Sequence, residues 1–130
     1  MTDAISDMLN RIRNAGAVIH QTADVPFSNV KSRIAEILKA EGFIADFKKR
    51  GRKSQAVLRI DLKYDASNVP AISGFKRVSK SGQRIYKKAK EIKKIRNGYG
   101  VAIVSTNKGI ITDKEVRKTK VGGEVMLEIW

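Results

Sequence analysis

The stretch Leu58-Arg59-Ile60-Asp61-Leu62-Lys63-Tyr64 alternates apolar and charged residues. Successive side chains of a strand point to opposite faces, so this period of two predicts a strand with one packed and one wet face. Phe43 to Arg50 reads as a strand before it, with Gly51 marking the turn between them. Further upstream, Val30, Ile34, Ile37 and Leu38 recur at helical spacing, with Ser28 or Asn29 as cap and Gly42 as stop. Val25-Pro26-Phe27 reads as an edge strand or connection, because proline suits edges. A first helix carries Ile5, Met8, Leu9 and Ile12, capped by Thr2 or Asp3. Gly16 weakens its end, although Val18 and Ile19 could extend it. The first half is therefore helix, short strand, helix, hairpin.

Downstream, Asp65 through Pro70 to Gly74 is rich in turn residues. The organisation expected is an amino-terminal α/β lobe over residues 1–65, a linker over 66–74 and a carboxy-terminal lobe over 75–130. In that second lobe, Phe75 to Val78 and Gln83 to Lys87 flank Ser79-Lys80-Ser81-Gly82 as a tight hairpin. A short helix over Lys90 to Arg96 stops at Asn97-Gly98. Val101-Ala102-Ile103-Val104 is a short, continuously apolar run and reads as a buried strand. Thr112-Asp113-Lys114-Glu115 has the spacing of a capping box, with Ile111 and Val116 placed as a hydrophobic staple, and predicts a helix from Asp113 to Lys118. Gly122-Gly123 is a turn before a last strand, Glu124 to Trp130. The class is α+β in two small lobes, the second mostly β with short helices.

Composition narrows the function. Of 130 residues, 27 are Lys or Arg and 13 Asp or Glu, a formal net charge of +14, with no cysteine, one histidine and 42% hydrophobic residues. The apolar fraction supports a packed core, and no apolar run approaches the ~20 residues of a membrane span. The start, Met1-Thr2-Asp3-Ala4, lacks the pattern of a signal peptide, so a cytosolic chain is expected. Residues 1–65 carry 12 basic and 8 acidic side chains, and residues 66–130 carry 15 and 5. Lys76 to Arg96 alone holds ten basic residues against Glu91. Unbalanced charge of one sign destabilises a compact state unless a partner neutralises it, so a polyanion is expected over a merely solvated face.

Catalytic signals are sparse. His20 has no identifiable orienter or nucleophile beside it, and no residues cluster at metal-ligand spacing. Asp3 with Asp7, and Asp113 with Glu115, suit helix starts. Glu124 and Glu128 share a strand face without the cleft that a glycosidase pair needs. Gly98-Tyr99-Gly100 is too short to be a phosphate loop. No enzyme activity and no cofactor are expected.

Ser105-Thr106-Asn107-Lys108-Gly109 differs from these. Three short side chains that donate and accept hydrogen bonds stand at the end of a rigid strand, a set suited to 2′-hydroxyls and base edges. Lys108 adds charge, and Gly109 permits close approach of a backbone. The same residues also suit a plain turn. Tyr86, between Arg84 and Lys87, could stack on a ribose or base, or could be an ordinary sheet tyrosine. A DNA-binding architectural protein and a basic enzyme acting on nucleic acid are the rival classes. Comparable affinity for duplex DNA would favour the first, and magnesium-dependent turnover of RNA the second.

Gly100-Val101-Ala102-Ile103-Val104-Ser105-Thr106-Asn107-Lys108-Gly109, then Ile110-Ile111-Thr112-Asp113-Lys114-Glu115, Val121-Gly122-Gly123-Glu124 and the terminal Trp130, together resemble the signature region of the bacterial small-subunit ribosomal protein number eight family. Met8-Leu9-Asn10-Arg11-Ile12-Arg13-Asn14, Glu41-Gly42-Phe43-Ile44, Arg77-Val78-Ser79-Lys80 and Arg84-Ile85-Tyr86 extend the resemblance over nearly the whole chain. Asn107 stands where the family most often has Ser, and Val116 where a small residue is usual. The resemblance implies a two-lobed protein that binds a junction in the central domain of small-subunit ribosomal RNA early in assembly. It also implies neighbouring ribosomal proteins as partners and, in some bacteria, repression of its own operon through messenger RNA. By the same resemblance, Ser105 to Gly109 reads the RNA in the minor groove. Tyr86, Lys87, Gly122, Gly123, Glu124, Lys31 and Lys53 add contacts.

Overall fold

The computed structural model describes residues 3–130 and divides into two compact units, one running to Ile72 and one from Ser73 to Trp130. In the first, helix α1 (Ala4–Ala17) starts where the Asp3 carboxylate accepts from the Ile5 amide at 3.1 Å. Thr2 lies outside the described residues. Met8, Leu9, Ile12, Ala15 and Gly16 are buried along one side, so Gly16 sits inside the helix. The helix does not extend through Val18 and Ile19. Ile19 adopts φ 57°, His20 N–H donates to the Ala15 carbonyl, and both apolar side chains are more than half exposed. A left-handed residue just past the last turn is a common way to close a helix.

Strand β1 (Thr22–Pro26) is an edge strand of a three-stranded antiparallel sheet ordered β1-β3-β2. Helix α2 (Asn29–Ala40) is capped by the Ser28 hydroxyl, which accepts from the Lys31 amide at 3.1 Å. Its buried side is Lys31, Ile34, Ala35, Ile37 and Leu38, whereas Val30 is 42% exposed. The predicted stripe is thus right at three positions and wrong at Val30. Lys31, not Val30, takes the inward position at the i, i+3, i+4, i+7 spacing with Ile34, Ala35 and Leu38. Strand β2 (Ile44–Arg50) and strand β3 (Val57–Leu62) form the hairpin, with a 3₁₀ turn Lys53–Gln55 beyond Gly51. β3 is the central strand, with Leu58 and Ile60 fully buried. Tyr64 lies past its end and donates to the His20 carbonyl at 2.6 Å.

The second unit is a five-stranded antiparallel sheet. β4 (Phe75–Arg77) and β5 (Tyr86–Lys87) pair with successive parts of β8 (Gly123–Ile129), followed by β6 (Val101–Thr106) and β7 (Gly109–Thr112). The expected hairpin between 75–78 and 83–87 is therefore corrected. Only its tip forms, a Lys80–Gln83 bridge, because both flanking strands bond to β8 instead of each other. The helix expected over Lys90 to Arg96 is also absent. Two 3₁₀ turns, Ala89–Glu91 and Arg96–Gly98, bracket that stretch, with Ile92 buried. Lys90, Lys93 and Lys94 would be repelling neighbours on a helix too short to offset the nucleation cost.

Helix α3 (Asp113–Thr119) begins at Thr112, whose hydroxyl accepts from the Glu115 amide at 3.3 Å, making the threonine half of the capping box. Val116 is fully buried in a cluster with Ile92, Ala102, Val104 and Val125, against which Ile111 packs. Val101, Ile103, Leu127 and Ile129 are buried too, so β6 and β8 are covered on both faces. That explains the unbroken apolar run at 101–104.

Candidate nucleic-acid interface

Sheet register brings distant residues of the second unit to one end of the fold. Tyr86 pairs with Glu124, Glu124 with Ser105, and Ser105 with Ile110. Directly opposed residues on neighbouring strands share a face, so Tyr86, Glu124 and Ser105 form a row across β5, β8 and β6. Lys87 pairs with Gly123 beside it, and Thr106 with Gly109. Nine of the sequence-predicted residues, from Tyr86 to Glu124, meet here, and Gly122 adjoins them.

Ser105 and Thr106 are the end of β6, and the loop beyond is a two-residue turn, Asn107-Lys108, closed by Gly109 at φ 111°. A turn followed by a left-handed glycine is a standard β-hairpin closure. A side chain at Gly109 would meet nothing within 4 Å, so its conformation, not its space, calls for glycine. The Thr106 hydroxyl accepts from the Lys108 amide at 3.1 Å and donates to the Gly109 carbonyl at 2.8 Å. Thr106 therefore holds the turn, and its donor is already engaged. Ser105 is half-buried, Asn107 and Lys108 are exposed, and the Ser105 hydroxyl has no hydrogen-bond partner among the described residues.

Gly122 and Gly123 let three backbones meet. A Cβ on Gly123 would press into the Ser105 carbonyl oxygen and lie 3.0 Å from the Ser105 carbonyl carbon and 3.1 Å from Thr106 Cγ2. A Cβ on Gly122 would press into the Lys87 carbonyl oxygen and lie 2.8 Å from Lys88 Cα. Neither glycine has positive φ, so close approach is the reason for both.

Glu124 stands among cations without facing outward freely. Its Oε2 accepts from the fully buried Ser79 hydroxyl at 2.7 Å and from Arg84 Nη1 at 3.0 Å, while Ser79 Oγ accepts from the Ile85 amide at 2.8 Å. Burial pushes the Glu124 carboxyl up, but the bonds from Ser79 and Arg84 and the charges of Arg84 and Arg77 outweigh it and hold it below the ordinary glutamate value. Glu124 thus ties the 79–85 excursion to β8 and fixes the approach of Tyr86, which is 70% exposed. Sequence reasoning missed Ser79 and Arg84 as parts of this site. Nothing local distinguishes a turn serine from one bonded 45 residues away.

Lys31 and Lys53 belong to the first unit. Lys53 is exposed at the 3₁₀ turn. Lys31 is only 6% exposed, and burial pulls its ammonium below the ordinary value, opposed by Asp7 and reinforced by Arg11. It is a packed lysine more than a presented one. No group of three or more His, Asp or Glu side chains among the described residues could hold a metal ion, and no helix is long and apolar enough to cross a membrane.

The chain is thus a basic α+β protein of two compact units, the second ending in a hairpin face flanked by lysines. Residues 3–130 match the profile of the family described as ribosomal protein S8. The chain is 55% identical to the small ribosomal subunit protein uS8 of Exiguobacterium sibiricum, 54% to that of Halalkalibacterium halodurans and 52% to that of Bacillus mycoides. Each match spans 100% of this chain and 98% of the relative. The chain belongs to the ribosomal protein S8 family. It is accordingly a structural protein of the cytoplasmic ribosome and not an enzyme.

Proposed function

We propose that this protein, as a constituent of the small ribosomal subunit, binds a folded junction in the central domain of small-subunit ribosomal RNA and supports its assembly. The face at the end of β5, β8, β6 and β7 carries the specific contact. Lys87 and Lys108 set register on phosphates, Ser105 and Asn107 read hydroxyls and base edges, and Tyr86 offers a ring for a sugar or base. Thr106, Gly109, Gly122, Gly123 and Glu124 hold that face in shape. Lys53 of the amino-terminal lobe adds charge, and Lys31 contributes through packing first.

The observation that supports this most is the cross-strand row of Tyr86, Glu124 and Ser105, which joins residues far apart in the chain beside one rigid turn. Titration against central-domain RNA fragments and an unrelated RNA of equal length tests it. Affinity for the cognate fragment should fall steeply with salt, with a log–log slope of about −0.7 to −0.9 per phosphate contacted. Little change between low and moderate salt would refute it. A messenger RNA with a similar junction could engage the same face, and competition between the operon leader and the ribosomal fragment tests repression. Neighbouring ribosomal proteins complete the set of partners.

A further inference from the structure

Beside the hairpin face, the second unit carries a concavity of about 650 Å³ between the 3₁₀ turn Ala89–Glu91 and helix α3. Its walls are Lys88, Lys90, Lys93, Lys94, Arg117 and Lys120, and its floor is Ala89 and Ile92. Arg117 Nη1 lies 2.7 Å from the carboxylate of Asp113, which is 1% exposed, so the guanidinium is anchored from below. The five lysine ammonium groups make no ion pair with any described acidic residue. Mutually repelling charges around an apolar floor weaken a compact fold unless an anion offsets them.

We propose that this groove is a second RNA-backbone site, which takes the sugar–phosphate strand running on from the junction held at the hairpin face. Continuity argues for RNA over an unrelated anion. Lys88, Ala89 and Lys120 also line the depression that contains Tyr86, Lys87, Gly122 and Gly123, so one strand can pass from face to groove without leaving the protein. The concavity is broad and open to solvent, so a sugar–phosphate segment can lie along it within reach of the lysines. Lysines act here as point charges that position without selecting sequence. The groove therefore adds affinity and the hairpin adds specificity.

The inference rests on the RNA reading of the hairpin face, and one experiment separates the two. The intact protein and its Lys90→Gln/Lys93→Gln/Lys94→Gln variant are titrated with a central-domain RNA fragment and an unrelated RNA between about 50 and 200 mM salt. The variant's log–log slope should be shallower by about 2 to 3, from ~0.7–0.9 for each lost phosphate contact. Affinity for both RNAs should fall by the same factor, and the melting temperature should hold or rise. Lys94→Gln alone should show about one third of the slope change. A variant slope as steep as the wild type overturns the groove and leaves the hairpin reading standing, whereas a flat wild-type slope overturns both. A lower melting temperature with an unchanged slope assigns these lysines to the fold and also overturns the groove.

Discussion

Gly123→Ala probes how closely the recognition hairpin depends on backbone packing. An added Cβ would lie 3.0 Å from the Ser105 carbonyl carbon and 3.1 Å from Thr106 Cγ2, and closer still to the Ser105 oxygen. Carbon pairs settle at about 3.5–4.0 Å, so β6 must retreat by roughly 0.5–1 Å where it pairs with β8. Overpacking of that size costs about 1–3 kcal/mol. In a small domain this lowers the melting temperature by roughly 4–8 °C per kcal/mol. The same movement displaces Ser105 and Thr106, and hydrogen bonds tolerate only a few tenths of an ångström around 2.7–3.2 Å. Loss of one specific contact, about 1.4 kcal/mol or more, weakens cognate RNA binding at least ~10-fold. Gly82→Ala is the control, since nothing lies within 4 Å of its Cβ and its φ is not positive. It should be neutral or stabilise by about 0.4–1 kcal/mol through the unfolded chain. Denaturant melts and RNA titrations of both variants are the assay. A Gly123→Ala protein as stable and as specific as the wild type would refute the close-approach argument.

Other perturbations separate buried from exposed polar contacts. Asp113 accepts from the Ala102 amide at 3.0 Å and pairs with Arg117, so Asp113→Ala should cost about 3 kcal/mol in urea unfolding, moderated because Arg117 is 28% exposed and can rehydrate. Arg59 bonds Asp24 through two contacts of 2.9 and 3.1 Å at partly exposed positions, so solvent screens the pair and Arg59→Ala should leave the urea midpoint almost unchanged in the same assay. Glu124 is held below its ordinary value in the folded state, so its stabilisation is present above the unfolded pKa and is lost as pH falls through the folded one. The stability gap between wild type and Glu124→Gln should therefore narrow below about pH 4.3, and a gap constant down to strong acid would contradict the ion-pair account.

Local sequence carries the fold where one residue type meets one environment. β3 alternates because one of its faces is packed, and β6 is continuously apolar because both faces are covered. Ser28 and Thr112 were legible as caps because their chemistry is local. Val30 is the miss in the second helix, because apolar character alone places it on the stripe while the neighbouring Lys31 takes the inward position. The 90–96 helix failed against tertiary demand, since Ile92 must turn inward from a run of repelling lysines. β7 was missed because Gly109 to Thr112 looked like an approach to the next helix. In the candidate site, the turn residues were visible because short polar side chains follow an apolar strand. The row of Tyr86, Glu124 and Ser105, and its Ser79 brace, depend on register between strands far apart in the chain, which no local window contains.

If charge positions RNA and the hairpin recognises it, the two contributions separate under mutation. Ser105→Ala removes an unpartnered, half-buried hydroxyl from the row and leaves every cation in place. The direct measurement is the ratio of affinities for a central-domain ribosomal RNA fragment and for an unrelated duplex RNA, in wild type and variant at one salt concentration. The ratio should fall about 5- to 150-fold in the variant, for a recognition contact of about 1–3 kcal/mol, with affinity for unrelated RNA unchanged. Equal loss on both RNAs, or none on either, would contradict it.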